Sequence, residues 1–330
     1  MSTHRHYLSA RFMIFLDDGN PYTVAHAQAE RLWERSLRIA LIANPVSGTG
    51  KARAKTERLV KLLEAAGCTV EIQWTQKSGH AKILAAKLAD GFDCLVVAGG
   101  DGSVSEVLNG LPLPSPCPIA ILGVGSQNIL ARELGLDLDP ASLAKAILAG
   151  NTCMIDLGLI DGMTRFGMLC TAGLDARVIR TIAENRQGTL GSIGYLWALL
   201  RTVFTYPQTA LQVTVDDHPP VSGTLVIVAN IKNYVWDLHP ADQAECDSGK
   251  LDVVVLHKSG AIAVAGYMWQ AWRNRLSTSK QVSYLQGIQI ELSSTEDIDV
   301  QNDGEVYGKL PVHIELLPGV AAFVVPEDRA

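Results

Sequence analysis

Two short stretches carry most of the chemistry available to this sequence. The first is Gly99-Gly100-Asp101-Gly102-Ser103, where an apolar run breaks into glycines with one carboxylate among them. Missing β-carbons let backbone N–H groups approach a polyanion. The helical pattern that follows at once adds unpaired N–H groups and a favourable dipole for phosphate. An acid beside phosphate repels it unless a cation intervenes, so Asp101 points to Mg²⁺, held directly or through water. The plainer reading of Asp101 is an N-cap of the following helix. The second stretch is Val300-Gln301-Asn302-Asp303-Gly304-Glu305. In an extended segment, residues two apart project to one face, so Asp303 and Glu305 address a single site. A carboxylate placed there suits proton removal from an attacking hydroxyl; the plainer reading is a polar Asp-Gly turn.

Two further turns repeat the logic of the first. "ANPVSGTGK" offers Asn44, Ser47 and Gly48, and "GVGSQNILAR" offers Gly125, Ser126 and Asn128, as short polar groups on a flexible backbone. Neither GxxxxGK[ST] nor GxGxxG is present, so those two phosphate-binding mechanisms are not supported. The eight histidines show no metal-ligand spacing, and none is assigned to catalysis.

These turns need elements to hold them. From Leu37, apolar runs ("LRIALIANP", "CTVEIQWT", "DCLVVAGG", "CPIAILGVGS") alternate with helical stretches, which predicts a parallel sheet with helices on both faces. Ligands of such sheets sit at the carboxyl ends of the strands, where Thr75 and all three turns fall. After residue 150 the pattern changes to short strands punctuated by Gly, Pro and Asp, predicting an antiparallel β-rich domain with helices near 191–205 and 261–275. The expected organisation is an N-terminal extension over 1–36, an α/β nucleotide-binding domain over 37–150, and a β-rich domain over 151–319. The last strand, "VAAFVVP" within 320–330, is a candidate to complete the first sheet.

Bulk properties narrow the partners. A net charge of −6 argues against a broad nucleic-acid footprint. Six cysteines without a CxxC pair read as free thiols in a reducing compartment, and there is no signal-peptide order or transmembrane run.

"IANPVSGTGKA", "VVAGGDGSVSEVLNGL", "LGVGSQNILARELGL" and "VQNDGE" occur in the order and spacing of the diacylglycerol kinase catalytic domain. Over residues 37–327 the chain resembles the bacterial lipid kinases of that family, which also includes sphingosine and ceramide kinases. The resemblance implies a fold of two domains: an α/β nucleotide-binding domain like that of NAD kinase and phosphofructokinase, and a β-sandwich with inserted helices, with a cleft between. It implies ATP and Mg²⁺ as cofactors. Nucleotide contacts then fall on Asn44, Pro45, Val46, Ser47, Gly48, Thr75, Gly99, Gly100, Asp101, Gly102, Ser103, Glu106, Ser126 and Asn128. Glu305 becomes the base, with Asp303 orienting it or helping to hold Mg²⁺. Where the family commonly has Asp-Gly at a structural Mg²⁺ site, this chain has Ser248-Gly249 with Asp247 displaced by one. Either the ion is held differently, through Asp247 and Ser248, or the site is absent. Asp156 and Asp175 align with positions near the substrate cleft, and Asp175 is a candidate for a lipid headgroup.

The implied partner is a lipid with a free hydroxyl, met by a cytoplasmic protein at the membrane periphery. The amphipathic stretches "GSIGYLWALLRTVFTYP" and "AIAVAGYMWQAWRNRLSTSK" suit an interface or an acyl groove. A homodimer is left open. So are two other readings: a nucleotide- or lipid-binding protein without kinase activity, favoured by Ser248 alone, and NAD kinase, which shares GGDG but whose TDN-type element is not found.

Overall fold

The computed structural model describes residues 36–184, 192–206 and 209–329. The expected N-terminal extension, apart from Ser36, lies outside the described residues. Four strands, β1 (Arg38–Ala43), β2 (Thr69–Trp74), β3 (Cys94–Gly99) and β4 (Ile119–Gly123), pair in parallel in the order β2-β1-β3-β4. β3 and β4 are buried along their whole length, which is why they read as continuous apolar runs. Helices α1 (Lys51–Ala65), α2 (His80–Leu88), α3 (Asp101–Leu108), α4 (Ile129–Glu133) and α5 (Pro140–Ala149) alternate with them. α5 shows the local logic: Asp139 caps its first N–H groups, Pro140 opens it, and Gly150 ends it in the left-handed region at φ 74°.

The remainder forms an antiparallel sandwich. One sheet has the order β12-β11-β10-β7-β14-β15, from β7 (Leu169–Gly173), β10 (Leu225–Ala229), β11 (Leu251–Leu256), β12 (Val282–Gly287), β14 (Asp299–Asn302) and β15 (Glu305–Lys309). It faces β8 (Leu211–Val215), β9 (Val221–Gly223), β13 (Gln289–Ser293) and β16 (Val312–Val324) across a core that includes Phe166, Val213, Val226, Ile290 and Val300. Three helices are inserted: α6 (Leu174–Glu184), α7 (Ser192–Thr205) and α8 (Ala261–Trp272).

β16 belongs to both halves of the fold. It runs antiparallel to β5 (Thr152–Ile160) and β13, while Phe323 near its end pairs in parallel with Ile119 of β4. The ten-stranded sheet therefore passes from the first domain into the second.

Two expected strands are interrupted. "TRFGMLCTAG" divides into β6 (Thr164–Phe166) and β7 around Gly167-Met168. "IDVQNDGE" is not extended through Glu305: Asp303 (φ 47°) and Gly304 (φ 84°) make a two-residue hairpin turn between β14 and β15. The premise that Asp303 and Glu305 share one face of a strand is corrected accordingly. The interruptions meet, as described next.

Candidate active site

The ends of β1, β3 and β4 converge, and the glycines there are explained first by loops touching loops. A Cβ at Gly48 would lie 1.9 Å from the Val124 carbonyl oxygen, one at Gly125 would lie 2.5 Å from Gly100 Cα, and one at Gly100 would lie 3.1 Å from Gly125 Cα. The first two approaches exclude a side chain, and the third is tighter than an ordinary Cβ contact. Asn44 Nδ2 donates to Ser103 Oγ at 3.5 Å, joining the turn after β1 to that after β3. Thr75 is half-buried beside them, its N–H bonded to the Ala43 carbonyl, and Pro45, Val46 and Ser126 are exposed.

Several polar residues expected to meet the nucleotide are engaged with the protein itself. Asp101 Oδ1 accepts the Ile129 N–H at 2.7 Å, so this acid caps α4 rather than the helix it opens. Burial raises its pKa, while N–H groups of Ile129, Leu130 and Asn128 oppose the shift. Asn128 closes its own turn: its Oδ1 accepts the Gly125 N–H at 2.8 Å and its Nδ2 donates to the Gly125 carbonyl at 2.9 Å. Glu106 accepts N–H groups of Gly79 (2.8 Å) and Ala81 (3.0 Å), satisfying the first turn of α2. Its carboxylate is a brace between helices.

The hairpin of β14 and β15 docks on this edge. Asp303 is buried, and its carboxylate accepts three N–H groups at 3.0 Å: Gly167 on Oδ2, Met168 and Leu169 on Oδ1. These are the residues where the expected strand over 164–173 breaks, so the break exists to turn three N–H groups toward one acid. Burial pushes the Asp303 carboxyl up to about 7, against the pull of those three donors and with a further rise from Asp101. The adjoining Glu305 is exposed, and its Oε1 lies 3.7 Å from where a Cβ would stand on Gly102. The two stretches, two hundred residues apart in the chain, are thus side by side.

Two residues that sequence reasoning did not single out hold this junction. Asn109, at the end of α3, donates from Nδ2 to the Arg165 carbonyl (2.9 Å) and accepts the Arg165 N–H on Oδ1 (2.8 Å). The Arg165 guanidinium donates to the carbonyls of Leu108, the last residue of α3, and of Leu111 just beyond it. Asn302 Nδ2 also donates to the Arg165 carbonyl, at 3.1 Å. Asn109 ends a helical pattern at an Asn-Gly pair, a visible stop signal; Arg165 has no signal of its own.

An apolar pocket opens in the second domain, lined among others by Leu169, Leu174, Ile227, Leu238, Val264 and Met268, with Asp175 as its carboxylate. Thr171 Oγ1 donates to Asp175 Oδ2 (2.8 Å) and the Tyr234 hydroxyl to Oδ1 (2.9 Å). Asp156 stands elsewhere. It is buried, and its carboxylate accepts the N–H groups of Gly249 and Gly319, each at 2.7 Å, bracing the 246–249 turn against β16. Asp247 and Ser248 are exposed; the Ser248 hydroxyl donates to the Lys250 carbonyl (3.1 Å) and accepts the Lys250 N–H (3.3 Å). Among the described residues, no three His, Cys, Asp or Glu side chains are grouped to hold a metal ion.

Comparison with known proteins agrees with the geometry. Residues 38–160 match the model of the diacylglycerol kinase catalytic domain, and residues 168–325 match that of the YegS C-terminal NAD kinase beta sandwich-like domain. The chain is 26% identical over 294 residues to a diacylglycerol kinase of Staphylococcus saprophyticus, covering 88% of this chain and 96% of that protein. It is 24% identical over 297 residues to one of Bacillus subtilis, covering 89% and 98%. A crystal structure of a diacylglycerol kinase from Bacillus anthracis str. Sterne superposes with a TM-score of 0.75 at 27% identity, covering 90% of this chain and all of that one. Matched along both domains, in sequence and in fold, this chain carries a diacylglycerol kinase catalytic domain followed by a YegS-type NAD kinase beta sandwich-like domain.

Proposed function

We propose that this protein transfers the γ-phosphate of ATP to the hydroxyl of a diacylglycerol-like lipid, with Glu305 as the base. The observation that supports the reading is the approach of Glu305 to the Gly102 turn, which sets an exposed carboxylate beside the edge proposed here for phosphate. The turns after β1, β3 and β4, with the N-terminus of α3, suit the triphosphate. Glu305 takes the proton of the lipid hydroxyl, the freed oxygen forms its bond to the γ-phosphorus, and the bond to the bridging oxygen breaks as ADP leaves. Asp303 does not share that proton; its oxygens hold the hairpin. Asp175 meets the polar end of the lipid while the surrounding pocket takes apolar chain.

The residues present do not make a metal site of their own. Asp101 Oδ1 and both oxygens of Asp303 already accept N–H groups, and Asp156, the carboxylate near Asp247, spends both its oxygens on the Gly249 and Gly319 N–H groups. A Mg²⁺ accompanying ATP would draw most of its ligands from phosphate oxygens and water.

α8 supports contact with a membrane surface. Val264, Tyr267, Met268 and Ala271 face the pocket, while Ile262 (92% exposed), Trp269 (60%) and Trp272 (61%) face outward. Arg273 lies over the Trp269 ring at 5.9 Å. A helix apolar on both sides, with an aromatic and a cation at its end, fits a peripheral site where lipid enters. No helix among the described residues is long and apolar enough to cross a membrane.

Purified protein, labelled ATP and a panel of lipids in detergent micelles test the proposal, with products identified by mass spectrometry. Phosphorylated diacylglycerol is the expected product. Absence of any phosphorylated lipid, or full activity in Glu305→Ala, would overturn it.

A further inference from the structure

Gln301 is completely buried in β14, where a β-branched apolar residue would fit the sheet at no polar cost. Both ends of its amide are used. Its Nε2 donates to Asp175 Oδ2 at 3.3 Å, and its Oε1 accepts the Gly304 N–H at 2.8 Å. The partners fix which way the amide points, because Asp175 offers only acceptors and Gly304 N only a donor. One end therefore touches the carboxylate of the apolar pocket. The other touches the turn residue that immediately precedes Glu305.

The backbone explains how one side chain reaches both. Gln301 lies directly opposite Thr171 of β7, so their side chains share one face, and Thr171 donates to the same Asp175 oxygen. That face is covered by α6, which begins at Leu174-Asp175. Asp299, two residues before Gln301 and on the same face, meets Arg177 (3.3 Å) and Arg180 (2.6 Å) of α6. Those two contacts hold α6 to β14, whereas Gln301 connects α6 to the turn.

We infer that Gln301 is a positioning residue that sets the reach between the lipid headgroup and the base. A lipid hydroxyl held near Asp175 is then in register with Glu305. The inference rests on the kinase reading above, and it assigns to Gln301 no contact with lipid or nucleotide. Asp175 and the Gly304 turn are held at a fixed separation by one amide, and shifting either shifts the other.

The test uses the full-length protein, with diacylglycerol in mixed micelles as probe, and Gln301→Glu and Gln301→Met. Activity is expressed per nucleotide-binding site, so that unfolded protein does not count. Gln301→Glu keeps the acceptor for Gly304 but sets a carboxylate against Asp175. At pH 8 its kcat/KM for the lipid is expected to fall at least tenfold. At pH 6 two facing carboxyls share a proton more readily, which remakes the hydrogen bond, so the deficit is expected to shrink severalfold. Gln301→Met matches the volume, makes neither bond, and is expected to show a loss of at least tenfold at both pH values. A purely structural role for Gln301 predicts no pH-dependent recovery confined to the Glu variant. Wild-type activity in Gln301→Glu at pH 8, or equal losses for the two variants at both pH values, overturns the inference. Should Gln301→Glu fail to fold, Gln301→Met retaining wild-type kcat/KM overturns it alone. A wild-type protein that phosphorylates no lipid overturns instead the reading beneath it.

Discussion

The molecule has two Asp-Gly pairs at its centre, and they have been put to parallel use. Asp101-Gly102 opens a helix after a parallel strand; Asp303-Gly304 closes an antiparallel hairpin. In each, the aspartate turns inward and accepts N–H groups from a distant segment, Ile129 in one case and Gly167 to Leu169 in the other. Burial raises both carboxyls. The pairs differ in what depends on them. Asp101 serves the first turn of a five-residue helix, whereas Asp303 serves three consecutive N–H groups between two strands. The lesson is that the acids most conspicuous in the sequence are anchors. The proposed reaction assigns its chemistry to Glu305, the carboxylate that the second anchor leaves exposed beside the first.

The sharpest break of that comparison is to remove the group assigned to chemistry. Glu305→Gln is expected to lower kcat by about 10²- to 10⁴-fold, in the range of a lost general base, while ATP affinity measured by titration stays within a small factor of wild type. A kcat close to wild type would return the catalytic role to one of the aspartates. Next in size is the asymmetry between anchors. Asp303→Ala orphans three buried N–H groups and should lose about 3 kcal/mol or more of unfolding free energy. Asp101→Ala removes one cap, about 1 kcal/mol. Urea unfolding of both variants measures the gap, and equal losses would erase it.

A third expectation concerns pH. Burial moves the Asp303 carboxyl from an ordinary 3.8 to about 7. The folded chain then holds that proton more tightly than the unfolded chain, so its stabilising contribution is complete below about pH 4 and is lost as pH rises through about 7. The Tm advantage of wild type over Asp303→Asn should therefore narrow from pH 4 to pH 8. A widening advantage would mean that the three N–H donors outweigh burial. The smallest effect separates glycines. Gly125→Ala would force a Cβ to 2.5 Å from Gly100 Cα and should lower Tm clearly, whereas Gly102→Ala meets only Glu305 Oε1 at 3.7 Å and should leave Tm nearly unchanged.

Much of this was legible before any coordinates. The alternation of apolar runs and helical stretches gives β1 to β4 with their helices, and the strand ends gather the turns around Asn44, Gly100 and Gly125 as expected. The inserted helices fall at 192–205 and 261–272, within a few residues of their predicted bounds. What the sequence does not carry is which backbone an acid will satisfy. Asp303 finds its donors 134 to 136 residues away, and Glu106 finds its own 25 to 28 away. No local pattern encodes such partners. The glycines mislead for a related reason: a missing side chain looks the same whether a ligand or another loop comes close. Gly48, Gly100 and Gly125 are glycines because loops touch there, and Gly102 alone of the four faces Glu305.

The last strand has a mechanical consequence. At thirteen residues, β16 is an edge-to-edge beam: its first half is laced into the sandwich and its tip into the parallel sheet, with Asp156 gripping Gly319 where the register slips. A hinge between domains normally runs through strands of linker that make few hydrogen bonds. Here the join is itself hydrogen-bonded sheet, so opening of the cleft by rigid rotation of the halves would tear the ladder. In the proposed reaction, entry of lipid then falls to helices such as α8 that lie outside the beam. Cutting the chain near residue 160 would leave the upstream fragment with β4 as a bare sheet edge, ready to recruit a strand from any neighbour.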